Sequence, residues 1–377
     1  MATLQAILQR HFKDYRESHR LSVAQRRAGH ALLVCRTAAL GGHVSRCPNG
    51  HLERVWYNSC RHRSCPQCNG LSRERWLARM RARLIGCAHH HLIFTIPHEL
   101  NVLWMLNTPA MMRALFAAVR STLTELLADP RYLGAQAGAV LALHTWSRSL
   151  ALHPHIHVLV SDGGLSSTGA WVTPRRSHFL PARVVMMLFR GKLLGAVRAL
   201  HRAGALRLPE RLSEAHFDRL LNRLGRVKWN VRIQARYAHG EGVSLYLARY
   251  VRGGAIHNAQ IAHADDETVR FRYRPHRADE AMTMTLSPQR FVARVLTHAA
   301  EPRLHTVRYL GLYTARQSEA LDRARALNDQ APVEPVAAVS CEAFLARFPN
   351  AHDRLHCPKC GARLIRGVGL APVRAPP

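Results

Sequence analysis

Two pairs of side chains in this sequence have the types and spacing needed for chemistry on a phosphodiester. His155 and His157 lie two residues apart in HPHIHVLV, and Tyr246 and Tyr250 lie four residues apart in YLARY. Alternate residues of a strand share one face, so a strand would present both imidazoles together. Residues i and i+4 of a helix are neighbours, so a helix would present both phenols together. A metal-binding pair and a pair of nucleophiles suggest cleavage of a nucleic-acid backbone.

The histidine pair favours a catalytic metal site. A single histidine on a strand is more often a satisfied core residue, but several imidazoles on one face are hard to explain by packing. Such ligands hold Mg²⁺ weakly and Mn²⁺ better, and they leave positions open for a phosphate oxygen. A third ligand is expected, and the candidates on the same or neighbouring predicted strands are His91, His144 and His153.

The tyrosine pair by itself favours core packing, because amphipathic helices often carry aromatic residues at this spacing for packing alone. Arg249 and Arg252 flank the pair, and we expect both to contact DNA phosphates. A tyrosinate beside arginines and a metal-bound phosphate is a competent nucleophile. It would attack phosphorus, form a phosphotyrosine and release a 3′-hydroxyl.

A zinc-binding module is predicted between residues 47 and 68, CPNGHLERVWYNSCRHRSCPQC. Zinc prefers four tetrahedral nitrogen or sulfur ligands, usually as two close pairs. The expected pairs are Cys47 with His51 and Cys65 with Cys68, and Cys60 is a fifth candidate that could replace His51. His62 is expected to be a basic surface group.

The remaining cysteines divide into two groups. Cys35 and Cys87 lie on apolar stretches and are expected in the core. Cys357 and Cys360 form a second knuckle, CPKCG, which is a possible second zinc site. Its partners are open, and the nearby candidates are Cys341, His352 and His356.

The charge of the chain predicts a nucleic-acid partner. The 377 residues contain 54 Lys and Arg but only 24 Asp and Glu, which gives a net charge of +30. Almost all of the positive charge is arginine, which binds phosphate with two parallel hydrogen bonds and stacks on bases. A basic amphipathic helix is predicted over residues 71–86. Its Arg73 and Arg75 are expected to contact DNA, although a merely solvated face is an equal alternative.

The order of predicted elements indicates an α+β fold with a mainly antiparallel sheet. We expect a helical and zinc-binding domain at 1–86, a catalytic domain at 87–315, and a linker with a small module at 316–377. No run of eighteen apolar residues occurs, and the first twenty residues carry charge throughout. These features predict a cytoplasmic protein without a signal peptide or membrane span.

The chain resembles the insertion sequence 91 family of transposases, in the HUH endonuclease superfamily. The matching stretches are GGHVSRC (41–47), YNSCRHRSCPQCNG (57–70), HLIFTIPHELN (91–101), LHTW (143–146), HPHIHVLVSDGG (153–164) and YLARYVRGGAIHNAQI (246–261). The resemblance implies a zinc-binding domain followed by an HUH domain with a ferredoxin-like sheet. It implies that His155 and His157 bind the catalytic ion and that Tyr246 and Tyr250 are the nucleophiles. The partners would be single-stranded DNA at the ends of the mobile element and target DNA, joined in rolling-circle transposition.

Two other functions fit part of the sequence. The string HPHIHVL matches the alternating pattern of histidine-triad nucleotide hydrolases, with His155 as the nucleophile. A non-catalytic zinc-finger protein that binds DNA would explain the charge and the cysteines. The first leaves the zinc module and the charge unexplained, and the second leaves the histidine face unexplained.

Overall fold

The computed structural model describes residues 2–174, 179–234, 236–238, 254–275, 280–348 and 355–373. Within these ranges the helices are α1 Leu4–Ser18, α2 Val23–Val34, α3 Gly70–Arg83, α4 Asn101–Leu106, α5 Thr108–Ala128, α6 Ala182–Arg202, α7 Glu214–Leu224, α8 Pro288–Thr297, α9 Ser318–Ala326 and α10 Cys341–Leu345. The strands are β1 Gly42–Arg46, β2 Glu53–Tyr57, β3 His89–Thr95, β4 Gln136–Trp146, β5 Leu152–Leu165, β6 Trp171–Val172, β7 Val231–Ile233, β8 Ile261–Ala264, β9 Val269–Tyr273, β10 Met282–Leu286, β11 Val307–Gly311 and β12 Ile365–Leu370. The predicted α+β class is confirmed.

An antiparallel sheet of six strands forms the centre of the molecule. Its order is β11-β4-β5-β3-β7, and β6 pairs with β5 at the side. The register places His144 of β4 opposite His155 of β5 and Ile93 of β3 opposite His157 of β5. The two longest strands, β4 and β5, therefore lie side by side and carry the predicted metal ligands.

The two faces of the central sheet are covered differently. On one face, α5 and α6 pack against Phe94, Ile156 and Val158 in the largest hydrophobic core. On the other, residues of α3 and α9 pack against Val140 and Leu159. Side chains alternate between faces along a strand, so β5 points its histidines to the same face as Leu159. The histidines therefore lie on the same face of the sheet as the residues that α3 and α9 cover.

A second hydrophobic core joins the N-terminal helices to residues 256–296. Helices α1, α2 and α8 pack with the small sheet β10-β9-β8 around Phe12, Phe271 and Phe291. The predicted hairpin is confirmed as β9 and β10, which pair antiparallel. Helix α8 begins as predicted: the Ser287 side chain accepts from the Arg290 N–H, and Pro288 occupies the first turn.

One predicted strand is much shorter than expected. The sequence pattern favours a strand over residues 229–237. Among the residues described there, the strand is Val231–Ile233, and Tyr237 forms an isolated bridge to His89. Trp229 is buried against Phe189, and its ring N–H donates to the Leu224 carbonyl. Packing of this one large side chain outweighs the strand pattern at that end.

The C-terminal residues lie against two other parts of the chain. Leu321 and Ala324 of α9 pack beneath the central sheet. Strand β12 pairs with β1, with Gly42 opposite Leu370, in a three-stranded sheet of order β12-β1-β2. In the described part of the chain, no helix combines the length and the hydrophobicity needed to cross a membrane.

Candidate functional site

Three buried histidines converge on the central sheet. His144, His155 and His157 are 7%, 8% and 5% exposed, and one ring nitrogen of each lies within 4.8 Å of the others. The Nε2 atoms of His155 and His157 are 3.1 Å apart. Two nitrogens that bind an octahedral divalent ion at adjacent positions, with bonds near 2.1 Å, lie about 3.0 Å apart. The residues present therefore fit a metal ion, and His144 completes the set.

Hydrogen bonds fix which ring nitrogen of His155 and of His157 faces the centre. The His155 Nδ1 donates to the His153 carbonyl oxygen at 2.6 Å, which leaves the Nε2 lone pair free for a ligand. Behind His157, the Nδ1 of His91 donates to Gln234 Oε1 at 2.9 Å, so the His91 Nε2 accepts from His157 Nδ1 at 2.9 Å. The Nε2 lone pairs of His155 and His157 then face each other, and a cation between them would stabilise this arrangement.

Burial keeps these imidazoles neutral. Loss of solvation lowers the pKa of His155 to about 3 and of His91 to about 4. It also lowers the pKa of His157, and the neighbouring His144 lowers it further. A neutral imidazole is the form that binds a metal, so the cluster is ready to do so at neutral pH.

The structure separates the three candidates for the third ligand. His144 belongs to the cluster, whereas His91 lies behind His157 as a hydrogen-bond partner. His153 is half-buried and supplies its backbone carbonyl to His155. Sequence alone had not ranked them, because the choice depends on the β4–β5 register.

Tyr246, Tyr250, Arg249 and Arg252 lie outside the described residues. The described chain resumes at residue 254. A Cβ on Gly254 would lie 2.8 Å from the Ser64 carbonyl oxygen in the cysteine-rich region.

The same residues adjoin the histidine face. Residues 254–256 line a small cavity together with Trp146. The Trp146 ring stacks on His144 with 4.6 Å between ring centroids. The chain therefore returns to the histidine face shortly after Tyr250.

Four cysteines form the first sulfur cluster: Cys35, Cys60, Cys65 and Cys68. The Sγ atoms of Cys60 and Cys68 are 3.6 Å apart, as are those of Cys35 and Cys65. Thiolates around tetrahedral zinc, with Zn–S near 2.3 Å, lie about 3.8 Å apart. Hydrogen bonds from the other three thiols lower the pKa of Cys35. The four sulfurs therefore fit zinc.

This grouping extends one expectation and corrects another. Cys35 is buried in the core, as expected, and at the end of α2 it also joins the cluster. Cys47 and His51 were expected with Cys65 and Cys68, but they lie at the turn between β1 and β2 in a different group. Gln5 of α1 donates to the Cys35 carbonyl and accepts from the Gln67 side chain, and no local spacing encodes these contacts.

The second group contains Cys47, His51, Cys357 and Cys360. The Sγ of Cys47 lies 3.5 Å from that of Cys360 and 3.8 Å from His51 Nδ1. The CPKC knuckle thus meets residues from the other end of the chain. Cys341 is exposed and belongs to neither group, His356 lies outside both, and His352 is outside the described residues.

Three further residues refine the sequence-based expectations. His62 is half-buried, and burial lowers its pKa, so it is not the basic surface group expected. Cys87 packs beside the core, and burial raises its pKa to about 12. The Arg75 Nε donates to the Val339 carbonyl at 2.8 Å. Contact of Arg73 and Arg75 with DNA stays a prediction.

A charged cluster further along β5, five residues beyond His157, is not predicted from the sequence. Asp162, in the string that follows His157, accepts from Arg236 Nε at 2.7 Å and contacts His90 Nε2 at 2.9 Å. The aspartate in HVLVSDGG was the available signal, but its partners come from other strands.

Comparison with known proteins identifies the family. A family model described as "Putative transposase" matches residues 138–320, and one described as "Transposase zinc-binding domain" matches residues 7–96. "Putative transposase y4qJ" of Sinorhizobium fredii (strain NBRC 101917 / NGR234) is 37% identical over 320 residues, 83% of this chain and 80% of that protein. "Transposase for insertion sequence element IS801" of Pseudomonas savastanoi pv. phaseolicola is 30% identical over 348 residues, 90% of this chain and 82% of that protein. The chain belongs to the insertion sequence 91 family of transposases.

The protein is therefore a DNA transposase of the rolling-circle type, with a zinc-binding domain near its N-terminus. Two solved structures also show a likeness to this transposase. "The structure of TrwC complexed with a 27-mer DNA comprising the recognition hairpin and the cleavage site" is 17% identical, covers 34% of this chain and 52% of that chain, and has a TM-score of 0.25. "Conjugative Relaxase Trwc In Complex With Orit DNA. Metal-Bound Structure" is 14% identical, covers 64% and 71%, and has the same TM-score. Scores this low do not bear on the geometry of this transposase.

Proposed function

We propose that this transposase cleaves and rejoins single-stranded DNA at a site built from the histidine cluster and the two tyrosines. The observation that carries the proposal is the convergence of His144, His155 and His157 on one buried face. These three imidazoles would hold Mg²⁺ or Mn²⁺. Such an ion would bind a non-bridging oxygen of the scissile phosphate and draw electron density from phosphorus.

Tyr246 and Tyr250 are the proposed nucleophiles. The phenolate oxygen of one attacks phosphorus, the bond from phosphorus to the 3′-oxygen breaks, and the departing oxygen takes up a proton. The product is a 5′-phosphotyrosine. A 3′-hydroxyl can later attack this ester and release the tyrosine, so joining needs no added energy source. The second tyrosine allows a second cleavage while the first remains bonded.

Two contacts support placing the tyrosines near the histidines. Gly254, four residues after Tyr250, lies against Ser64, and residues 254–256 share a small cavity with Trp146. Trp146 in turn stacks on His144. The first sulfur cluster, which includes Cys65, adjoins this contact. We propose that zinc binds Cys35, Cys60, Cys65 and Cys68. The bound ion would hold the loop that contains Ser64, against which Gly254 lies four residues after Tyr250.

Arg249, Arg252, Arg73 and Arg75 are the proposed phosphate contacts along the single strand. The DNA partners are the ends of the mobile element and the target strand. A transposase that acts on chromosomal DNA would work at the bacterial nucleoid.

The test is a nicking assay on labelled single-stranded DNA that carries the ends of the parent element, with Mn²⁺ or Mg²⁺. We expect nicked product and a covalent protein–DNA adduct that migrates as a larger species on a denaturing gel. Tyr246→Phe with Tyr250→Phe should abolish the adduct and leave DNA binding within about threefold. Tyr57→Phe, at an exposed tyrosine of β2, is the matched control and should keep full activity.

The histidines are tested separately. His155→Ala with His157→Ala should lower cleavage by at least about 100-fold and remove its dependence on the divalent ion. An adduct that survives loss of both tyrosines would refute the nucleophile assignment. Undiminished cleavage by the histidine variant in Mg²⁺ would refute the metal assignment.

A further inference from the structure

We propose a second structural zinc site, formed by Cys47, His51, Cys357 and Cys360, that fastens the C-terminal segment to the N-terminal zinc-binding domain. The matched zinc-binding domain ends at residue 96 and contains only two of the four ligands. The other two lie at the opposite end of the chain. The site binds Zn²⁺ through three thiolates and one imidazole.

The distances fit tetrahedral zinc. The Sγ atoms of Cys47 and Cys360 are 3.5 Å apart, and Cys47 Sγ lies 3.8 Å from His51 Nδ1. Ligands of tetrahedral zinc are about 3.6–3.8 Å from one another, whereas disulfide-bonded sulfurs are about 2.05 Å apart. All four ligand atoms lie within 4.8 Å of one another.

Two similar turns present the ligands. The Cys47 N–H donates to the Leu52 carbonyl and the Cys357 N–H to the Ala362 carbonyl, so each cysteine begins a turn of the same length. Gly50 and Gly361 close the two turns with φ of 73° and 71°, a conformation that favours glycine.

Polar hydrogens surround the sulfurs. The backbone N–H groups of His51 and Asn49 donate to the Cys47 sulfur. The Asn49 side-chain amide donates to Cys360 Sγ at 3.6 Å. These donors favour the thiolate form that zinc binds.

Hydrophobic packing contributes little to holding β12 in its three-stranded sheet. Ile365 and Val368 are 59% and 62% exposed. Within the described part of the chain, none of the buried residues in the three hydrophobic clusters comes from β1, β2 or β12. A small sheet without a core needs a disulfide or a metal for independent stability. The zinc ion supplies that stabilisation.

The C-terminal segment reaches the site along α3. Its Val339 carbonyl accepts from Arg75, and its Arg347 pairs with Glu74 at 2.6 Å. The zinc site closes this path, because Cys360 contacts a residue 313 positions earlier. Loss of the ion should therefore release β12 from β1 without disturbing the central sheet.

Zinc content measured on the purified full chain tests the proposal. We expect two zinc ions per chain in the wild type and one in the variant Cys357→Ser with Cys360→Ser. Cys341→Ser is the matched control, because Cys341 is an exposed cysteine of the same segment outside both groups, and it should keep two. One zinc in the wild type, or two in the double variant, would overturn the proposal.

A second measurement does not depend on the variant folding. X-ray absorption at the zinc edge of the wild type should show both sulfur and nitrogen ligands, because one site offers four thiolates and the other offers three thiolates and one imidazole. An all-sulfur ligand set would contradict the proposal. In hydrogen exchange, the double variant should exchange peptides of β1 and β12 at least about tenfold faster, with those of α5 and α6 unchanged. Equal protection of β12 would exclude the fastening role.

Discussion

The orientation of the His157 ring depends on His91, which lies behind it. His91 accepts from the His157 Nδ1 and is itself held by Gln234. A partner of this kind fixes the tautomer and orientation of a metal-binding imidazole. The two sulfur groups depend on similar neighbours, such as Asn49 beside Cys360. At the scale of single residues, the sites are built from ligands together with the groups that orient them.

We predict that His91→Ala weakens Mn²⁺ binding by about 10–100-fold, as loss of an orienting partner does elsewhere. Titration calorimetry on zinc-loaded protein measures the dissociation constant. His153→Ala is the control, because only its backbone carbonyl is used, and it should change the constant by less than about threefold. Equal affinity for wild type and His91→Ala would show that His91 has no orienting role.

His298 should make the fold sensitive to acid. Burial lowers its pKa to about 4, while an unfolded histidine titrates near 6.5. The unfolded chain therefore binds the proton more readily, so stability is full above pH 6.5 and is lost as the pH falls toward 4. The shift corresponds to about 3 kcal/mol.

Denaturant unfolding of wild type and His298→Gln between pH 7 and pH 4 measures this effect. The glutamine can still donate to the Leu150 carbonyl, which His298 Nε2 contacts at 3.1 Å. We expect the variant to lose about 3 kcal/mol less than the wild type. His305→Gln, at an exposed position, should follow the wild type. Parallel curves for His298→Gln and wild type would contradict the assignment.

At the scale of elements, α1 packs closely on α2, the helix that ends at Cys35 of the first sulfur cluster. The two helices meet at Gly29, where an added Cβ would lie 2.3 Å from Cζ of the buried Phe12. A larger residue would push the helices apart. The position of Cys35 at the end of α2 therefore depends on a small residue six positions earlier.

We predict that Gly29→Ala lowers the free energy of unfolding by about 1–3 kcal/mol, because the overpacking exceeds the gain in helix propensity. The matched control is Gly191→Ala on α6, where an added Cβ meets nothing within 4 Å. There the helix should gain about 0.5–1 kcal/mol. Chemical denaturation measures both. Stabilisation by both substitutions would refute the packing argument.

At the scale of the whole molecule, charge governs the encounter with DNA. A chain of net charge +30 attracts a polyanion and releases its counterions on binding. We predict that log K for single-stranded DNA falls by about 0.7 per log unit of salt for each phosphate neutralised, so several contacts give a slope steeper than about −3. Fluorescence anisotropy from 50 to 300 mM salt measures it, and an affinity independent of salt would contradict it.

Two variants test whether Arg73 contributes to the salt dependence of binding. Arg73→Gln should reduce its magnitude by about 0.7 if the side chain contacts one phosphate. Arg131→Gln should leave it unchanged, because Arg131 is already paired with Asp129 at 2.7 Å. An unchanged slope for Arg73→Gln would remove Arg73 from the proposed DNA contacts.

The sequence by itself determined whatever depends on neighbours within one element. Spacing of two placed His155 and His157 on one strand face, the Ser287 cap and Pro288 set the start of α8, and the two CPxC strings indicated zinc. The arginine excess predicted the nucleic-acid partner. Family motifs assigned the tyrosines, whose spacing alone also fits packing.

Only the tertiary structure decided which distant residues share a site. His144 joined the histidines through the β4–β5 register, Cys35 joined Cys65 at the end of α2, and Cys357 with Cys360 met Cys47 through the pairing of β12 with β1. The physical reason is that ligand sets are closed by contacts between elements. Local spacing determines the direction of a side chain along its own strand or helix, and long-range packing determines what that side chain meets.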